Sequence, residues 1–321
     1  MRLFVTGGAG FIGSNYARHV LNTTDDSVTV FDLLTYAGNR ESLRDLDDDR
    51  RFSFVQGDIC DRDAVTAAMR GHDAVVHFAA ETHVDRSITG PDEFIRTNCL
   101  GTNVVCDVAR HLELDRVLHI STDEVYGSVE EGSSLEGDLL EPRSPYSASK
   151  SGSDLIALSY LTTYGLPVVV TRCSNNFGPY QFPEKMIPLF TTNLLDGHKV
   201  PLYGDGLNIR DWIHVEDHNR AADLVLRSGE PGEVYNIGAG NELTNIELTT
   251  RLLELTGRDE SFIEPVADRL GHDRRYSVNI DKVVALGWSL SRSFDDSLAA
   301  TVEWYRDHRD WWEPLKARAG L

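Results

Sequence analysis

The sequence predicts an α/β fold, a doubly wound parallel sheet of the Rossmann type joined to a second, smaller α/β lobe. Three observations lead there. Short β-branched runs recur with helical stretches between them, which is the pattern of βαβ units. Most of these runs are continuously apolar, as Asp73-Ala74-Val75-Val76-His77-Phe78 shows, so both faces of each strand must be covered. A glycine-rich turn follows the first run at once and opens a helix.

Taken in order, the candidate strands are residues 2–6, 27–31, 52–56, 73–78, 115–120, 167–171 and 233–237. Between the first two lies Gly7-Gly8-Ala9-Gly10-Phe11-Ile12-Gly13, after which Tyr16, Val20 and Leu21 keep a helical spacing. The clearest helix runs over 147–164. Pro142 and Pro145 impose an extended approach to it, Gly165 closes it, and Pro167 stands where no helix continues. After residue 174 the alternation becomes irregular and richer in Pro, Gly and Asn. The expected division is residues 1–174 for the first lobe, with 233–240 returning to its sheet, and 175–321 for the second. The acidic run 45–49 and the stretch 130–141 read as solvated loops. Trp288, Trp304, Trp311 and Trp312 fit core and docking roles.

Bulk composition narrows the partners. Among 321 residues, 41% are hydrophobic, enough for a sizeable core. Lys and Arg number 31 against 51 Asp and Glu, so the formal charge of -20 repels a polyanionic backbone and no nucleic-acid partner is expected. Any phosphate must be held locally, by helix N-termini or a few placed arginines. Cys60, Cys99, Cys106 and Cys173 are scattered without metal-ligand spacing. A reduced, cytoplasmic protein is expected, with no signal peptide, no membrane span and no metal site. His77 sits in an apolar strand and reads as a core histidine.

The glycine loop carries the first chemistry. Glycines at 7, 10 and 13 remove the side chains that would block a tight turn, close approach of a pyrophosphate, and packing of helix on strand. Asp32 ends the second strand 19 residues after Gly13, where a carboxylate accepts hydrogen bonds from a ribose diol and repels a 2'-phosphate. The cofactor expected is therefore NAD rather than NADP. Asp58, in Gly57-Asp58-Ile59, ends the third strand and brackets an adenine or simply makes a turn.

A second constellation lies further along. Tyr146 and Lys150 stand four apart on one helix and project from one face. A free phenol has a pKa of about 10, leaving on the order of one molecule in a thousand ionised at neutral pH. A nearby ammonium and a cationic nicotinamide ring lower that value, which makes Tyr146 a base for an alcohol. Ser121-Thr122 ends the fifth strand, where a hydroxyl can hold the same oxygen. Ser147-Ala148-Ser149-Lys150 also spells S-x-x-K, but no K-T-G partner accompanies it.

With these residues in place the chain resembles the extended short-chain dehydrogenase/reductase family over nearly its full length. The matching residues are the glycine loop, Asp32, Asp58, His77-Phe78-Ala79-Ala80, Thr122, Tyr146-x-x-x-Lys150, and Arg172-x-x-Asn175 with Gly178-Pro179. Within that family Ser121-Thr122-Asp123-Glu124-Val125-Tyr126-Gly127 is similar to the signature of nucleotide-sugar 4,6-dehydratases, with dTDP-glucose the substrate implied. Sugar epimerases carry small or hydroxyl residues in place of Asp123 and Glu124. The chemical sense is that the C5 hydrogen of a hexose becomes acidic once C4 is a ketone. A carboxylate then removes it while water leaves from C6.

The resemblance implies the remaining roles. Tyr146, Lys150 and Thr122 serve the C4 oxidation, Glu124 takes the C5 proton and Asp123 protonates the C6 hydroxyl. The cofactor is implied to meet Gly7, Gly10, Phe11, Ile12, Gly13, Asp32, Leu33, Thr35, Asp58, Ile59, Phe78, Ala79, Ala80, Thr97 and Asn176 besides Tyr146 and Lys150. The sugar nucleotide is implied to meet Thr82, Thr122, Asn175, Lys185, Met186, Pro201, Tyr203, Arg210, Asn245, Arg269 and His272, the arginines matched to its diphosphate. A homodimer is implied as well. Adjacent strand residues face opposite ways, so Asp123 and Glu124 share a site only if the strand has ended at Thr122. Three readings stay open at this point: a nucleotide-sugar 4-epimerase, a non-catalytic NAD-binding regulator, and a dehydratase for GDP-mannose or CDP-glucose.

Overall fold

The computed structural model describes residues 1–268 and 271–320. Its strands are, in chain order, β1 (Arg2–Thr6), β2 (Ser27–Asp32), β3 (Phe52–Gln56), β4 (Ala74–His77), β5 (Arg116–Thr122), β6 (Val168–Cys173), β7 (Asn175–Phe177), β8 (Val200–Tyr203), β9 (Ile209–His214), β10 (Val234–Ile237), β11 (Glu242–Thr244) and β12 (Ile263–Val266). Seven of them form one parallel sheet in the order β10-β6-β5-β4-β1-β2-β3. These are the seven apolar runs read from the sequence. The doubly wound class holds.

Alternate residues of each strand explain why the runs are apolar throughout. Leu3, Val5, Val28, Val30, Val76 and Leu118 pack on Tyr16, Ala17 and Val20 of the Phe11–Thr23 helix and on Ala221, Ala222 and Val225 of the Val215–Ser228 helix. Their neighbours Phe4, Phe31, Val75, Val117, Val168 and Val170 turn to the other face, against Val104, Val105, Val108, Ala157 and Tyr160. Each such side chain, fully buried, contributes about 1.5–3 kcal/mol. The Val215–Ser228 helix lies on the main sheet too, so the chain is back there before β10 begins.

The remaining strands belong elsewhere. β11, β9 and β7 make a small mixed sheet, and β8 pairs in parallel with β12. A third apolar cluster of Phe177, Ile187, Phe190, Leu194, Trp212, Leu248 and Leu252 holds this part together.

Two local details position the site. The long helix spans Pro145–Tyr164, two residues earlier than expected, because Ser144 and Ser147 form a reciprocal capping box. Pro145 is thus its first residue, where a missing N–H leaves nothing unsatisfied, and the extended approach ends at Ser144. Strand order reverses between β1 and β4, so a crevice opens beyond the carboxyl ends of those two strands. Everything discussed next converges there.

Candidate active site

A cavity of about 320 Å³ fills that crevice. At one end, β1 gives way to the glycine turn. Gly7 has φ +69°, and a Cβ there would lie 2.5 Å from Ala79 N; a Cβ on Gly13 would lie 2.5 Å from Gly7 O. The turn therefore has no room for side chains, and the Phe11–Thr23 helix presents its amino end to the cavity. This is a cradle for a pyrophosphate. Asp32 accepts from Ala9 N at 2.9 Å and Leu34 N at 2.8 Å, so its carboxylate also ties the turn to the loop after β2. Burial pushes that carboxyl up while the two N–H groups pull it down. Asp58 is likewise engaged. Against the burial that would raise it, Arg96 at 2.7 Å and the Cys60 N–H hold it below the ordinary carboxylate range. Every residue expected at the cofactor lines this one cavity, and the fit to a dinucleotide follows from the cradle.

The other end holds the reactive groups. β5 stops at Thr122, and Asp123–Tyr126 form a single 3-10 turn capped by the Thr122 hydroxyl, which accepts from Glu124 N at 3.3 Å. That turn answers the geometric condition, since both Asp123 and Glu124 line the cavity together with Thr122, Tyr146 and Lys150. Thr122 Oγ1 donates to Asp123 Oδ1 at 3.3 Å and also bonds the Tyr146 phenol. Burial, the Glu124 carboxylate and Asp211 push the Asp123 carboxyl well up, against Arg210 and the Thr122 hydroxyl. Those influences favour the protonated acid over the carboxylate. Its Oδ2, with Ser121 Oγ, Asn175 Oδ1 and Asn176 Oδ1, is buried and has no hydrogen-bond partner among the described residues. Buried polar atoms without partners in one cavity lining call for a polar ligand.

Tyr146 departs from expectation. Burial and the Glu124 carboxylate push its phenol well above the ordinary range, with the Thr122 hydroxyl acting the other way. Lys150, itself lowered by burial although Asp154 supports its charge, donates from Nζ to Ile120 O at 2.8 Å. In the chain alone burial outweighs the ammonium, and the phenolate needs the positive charge of a bound group.

The family model described as GDP-mannose 4,6 dehydratase matches residues 4–301. The chain belongs to the GDP-mannose 4,6 dehydratase family. A protein of Streptomyces antibioticus named dTDP-glucose 4,6-dehydratase is 56% identical, covering 99% of this chain and 96% of that one. The dTDP-glucose 4,6-dehydratase of Streptomyces venezuelae, solved with NAD bound, superposes with a TM-score of 0.97 at 56% identity, over 98% of this chain and 100% of that one. A UDP-glucose 4-epimerase of Thermus thermophilus, solved with NAD, has a TM-score of 0.89 at 31% identity, over 96% of this chain and 100% of that one. Epimerases thus share the scaffold of the GDP-mannose 4,6 dehydratase family, and side chains in the cavity must separate the two.

Of the residues expected at the sugar nucleotide, Thr82, Thr122, Asn175 and Lys185 line the cavity. Met186, Pro201, Tyr203, Arg210, Asn245 and His272 are outside that lining, the first five on the smaller sheets or at helix starts beside them and His272 in the loop before the Asp281–Ala285 helix. Arg210 is buried in β9; its guanidinium lies 4.3 Å from the Tyr276 ring and its charge reaches Asp123. Asn245 begins the Asn245–Thr256 helix with Oδ1 buried, and the Tyr203 and His272 rings meet edge-on at 6.4 Å. Arg269 lies outside the described residues.

Sequence reasoning missed several members of this GDP-mannose 4,6 dehydratase site. Glu81, Glu93, Gln181, Phe182 and Glu184 line the cavity. Tyr276, which donates to Asp273 Oδ2 at 2.7 Å and feels the Glu124 charge, faces the acids from the far lobe. Asp211, whose oxygens accept from Ala239 N at 2.9 Å and Asn241 N at 2.7 Å, adds its charge to the influences that push Asp123 up. Asp211 and Glu184 each adjoin a residue expected at the sugar nucleotide, Arg210 and Lys185; Tyr276 had no local pattern to mark it.

Proposed function

We propose that this chain is a dTDP-glucose 4,6-dehydratase, a hydro-lyase that converts dTDP-glucose to dTDP-4-keto-6-deoxyglucose with tightly bound NAD. One observation carries the reading: the 3-10 turn after Thr122 delivers two acids side by side, Asp123, whose protonated form burial favours, and Glu124, to the cavity of Tyr146 and Lys150. An epimerase needs neither. The 56% identity with the Streptomyces antibioticus dTDP-glucose enzyme supports this base over GDP or CDP.

The chain's own groups do the following. Residues of the glycine turn, with Asp32 and Asp58, hold the dinucleotide. When bound, NAD supplies a cationic ring that favours the phenolate and takes up the C4 hydride, which it later returns to C6. Tyr146 Oη removes the proton of the C4 hydroxyl, while Thr122 Oγ1 orients that oxygen. Glu124 removes the C5 proton from the resulting ketone. Asp123 gives its proton to the C6 hydroxyl, which leaves as water. Glu124 then returns a proton to C5. The proton kept by Tyr146 restores Asp123, and the hydroxyl of Thr122 bridges the two. One water is lost and every side chain ends as it began.

Residues 1–174 with 233–240 hold the dinucleotide in this account, and 175–321 the sugar nucleotide, with Arg210 and Lys185 set for its diphosphate. The chain works as a homodimer. Support comes from Ile95, Leu100 and Leu155, which are 52%, 48% and 61% exposed around a shallow groove lined by Ile95, Leu100 and Ile156; a second copy would cover this apolar face. Four free thiols, two of them buried, suit the reduced cytoplasm. No helix among the described residues is long and apolar enough to cross a membrane.

The test is incubation of the purified protein with dTDP-glucose and no added cofactor. A 4-keto-6-deoxy product is expected. Recovery of dTDP-glucose and dTDP-galactose alone would instead mark a 4-epimerase.

A further inference from the structure

The banks of the cavity are joined by a side-chain cluster that the reaction itself does not use. One bank is the loop after β2, where Leu33, Thr35, Ala37 and Gly38 line the cavity. The other is formed by Thr82 with Phe182, Glu184 and Lys185. Tyr36 sits in the middle of the first bank and faces outward over the second. Its ring meets Phe182 edge-on at 5.7 Å, and Arg86 lies over it with the guanidinium carbon 3.9 Å from the centroid. Arg86 also donates to Glu184 Oε2 at 3.1 Å, and the Tyr36 phenol feels the Glu184 charge. Lys185 Nζ donates to Thr82 O at 3.1 Å within the second bank, and Arg318 Nη2 holds Tyr36 O at 3.0 Å from the C-terminal helix.

We propose that Tyr36, Arg86 and Glu184 form a clasp across the dinucleotide groove, which sets how slowly NAD leaves. The proposal rests on the reading that NAD occupies this cavity. A cofactor that is oxidised and restored within each cycle gains nothing from leaving, so slow release suits the chemistry. The physical argument is direct. For the two banks to part, the Arg86–Tyr36 stack and the Tyr36–Phe182 edge contact must break together, because one ring makes both, while the Arg86–Glu184 ion pair within the second bank holds the guanidinium in place for the stack. Arg86 and Tyr36 lie outside the cavity lining, so their stack sets the rate of opening rather than the contacts of the bound dinucleotide.

Arg86 is 46% exposed at its side chain, so Arg86→Ala should fold normally. The cation–π contact and the partly exposed ion pair together correspond to about a 5- to 30-fold faster release. The experiment loads wild-type protein, Arg86→Ala and Tyr36→Phe with radiolabelled NAD and follows loss of label after a chase with excess unlabelled NAD. Melting of the nucleotide-free proteins reports on the fold. Arg86→Ala should release label about 5- to 30-fold faster at unchanged melting temperature. Tyr36→Phe, which keeps the ring under the guanidinium, should stay near the wild-type rate. Release from Arg86→Ala at the wild-type rate overturns the clasp while leaving the cofactor reading intact. A wild-type protein that holds no NAD at all overturns both.

Discussion

Replacing Asp123 with Asn removes one proton donor and little else. The Asp123 carboxyl is 3% exposed, and burial with the charges of Glu124 and Asp211 favours its neutral form. An amide is neutral as well, and its oxygen can still accept the 3.3 Å bond from Thr122. No buried charge is orphaned, so the melting temperature of Asp123→Asn should stay within about 2 °C of wild type. Activity is another matter. A positioned general acid contributes about 10²- to 10⁴-fold, or about 3–5 kcal/mol of barrier. Formation of the 6-deoxy product should drop by that factor. The C5 proton, however, is taken by Glu124, which the substitution leaves in place. Dehydratase run in heavy water should therefore return unreacted dTDP-glucose carrying deuterium at C5 while elimination is stalled. Mass spectrometry of recovered substrate and product reads both steps at once. Loss of exchange and elimination in parallel would refute the separate roles, and full activity in Asp123→Asn would refute the acid altogether.

Other consequences are equally concrete. Gly13→Ala places a Cβ 2.5 Å from Gly7 O and 2.8 Å from Gly8 Cα, so the turn must open; NAD retention measured after gel filtration should fall at least tenfold. His218 is buried and pushed down to about 4 by that burial, with Asn219 acting the other way. Its unfolded form takes a proton near pH 6.5, so folding stability is full above that pH and is lost as pH falls from 6.5 towards 4. His218→Gln should shrink the difference in unfolding free energy between pH 7 and pH 4.5 by about 2–3 kcal/mol, read from denaturant curves. Asp154 is the chief group supporting the charge of buried Lys150, so Asp154→Asn should move the alkaline limb of the kcat profile to lower pH. Leu155→Asp, at a side chain 61% exposed, should give monomers in sedimentation at unchanged melting temperature of the isolated chain.

Much of the scaffold was legible because its physics is local. Strands buried on two faces must be apolar at consecutive positions, and the runs at β1, β4 and β6 announce themselves for that reason. The glycine turn is legible because steric exclusion leaves no other residue at Gly7 and Gly13. Helix Pro145–Tyr164 began earlier than its prolines suggested, since Pro145 serves as a first helical residue and Ser144 with Ser147 caps it. Adjacent acids on a strand diverge, so the sequence could state a condition for Asp123 and Glu124 but not meet it; the 3-10 turn meets it. What stayed hidden depends on distant segments meeting. Asp211 in β9 and Tyr276 in a loop act on the acids from beyond residue 174, and Tyr36 finds Arg86 and Glu184 only after three separate segments meet over one groove. The direction of the Tyr146 shift was hidden for the same cause, because burial is a property of the whole fold and spacing reports only the neighbouring lysine.

The account stands on a hydrogen that leaves C4 and reappears on C6 of the same sugar, with a solvent proton entering between them. Conversion of C4-deuterated dTDP-glucose in ordinary water, read by NMR of the product, measures this directly. One deuterium in the C6 methyl group and ordinary hydrogen at C5 is the predicted result. Deuterium retained at C4 of an inverted sugar, or lost to water, would contradict it.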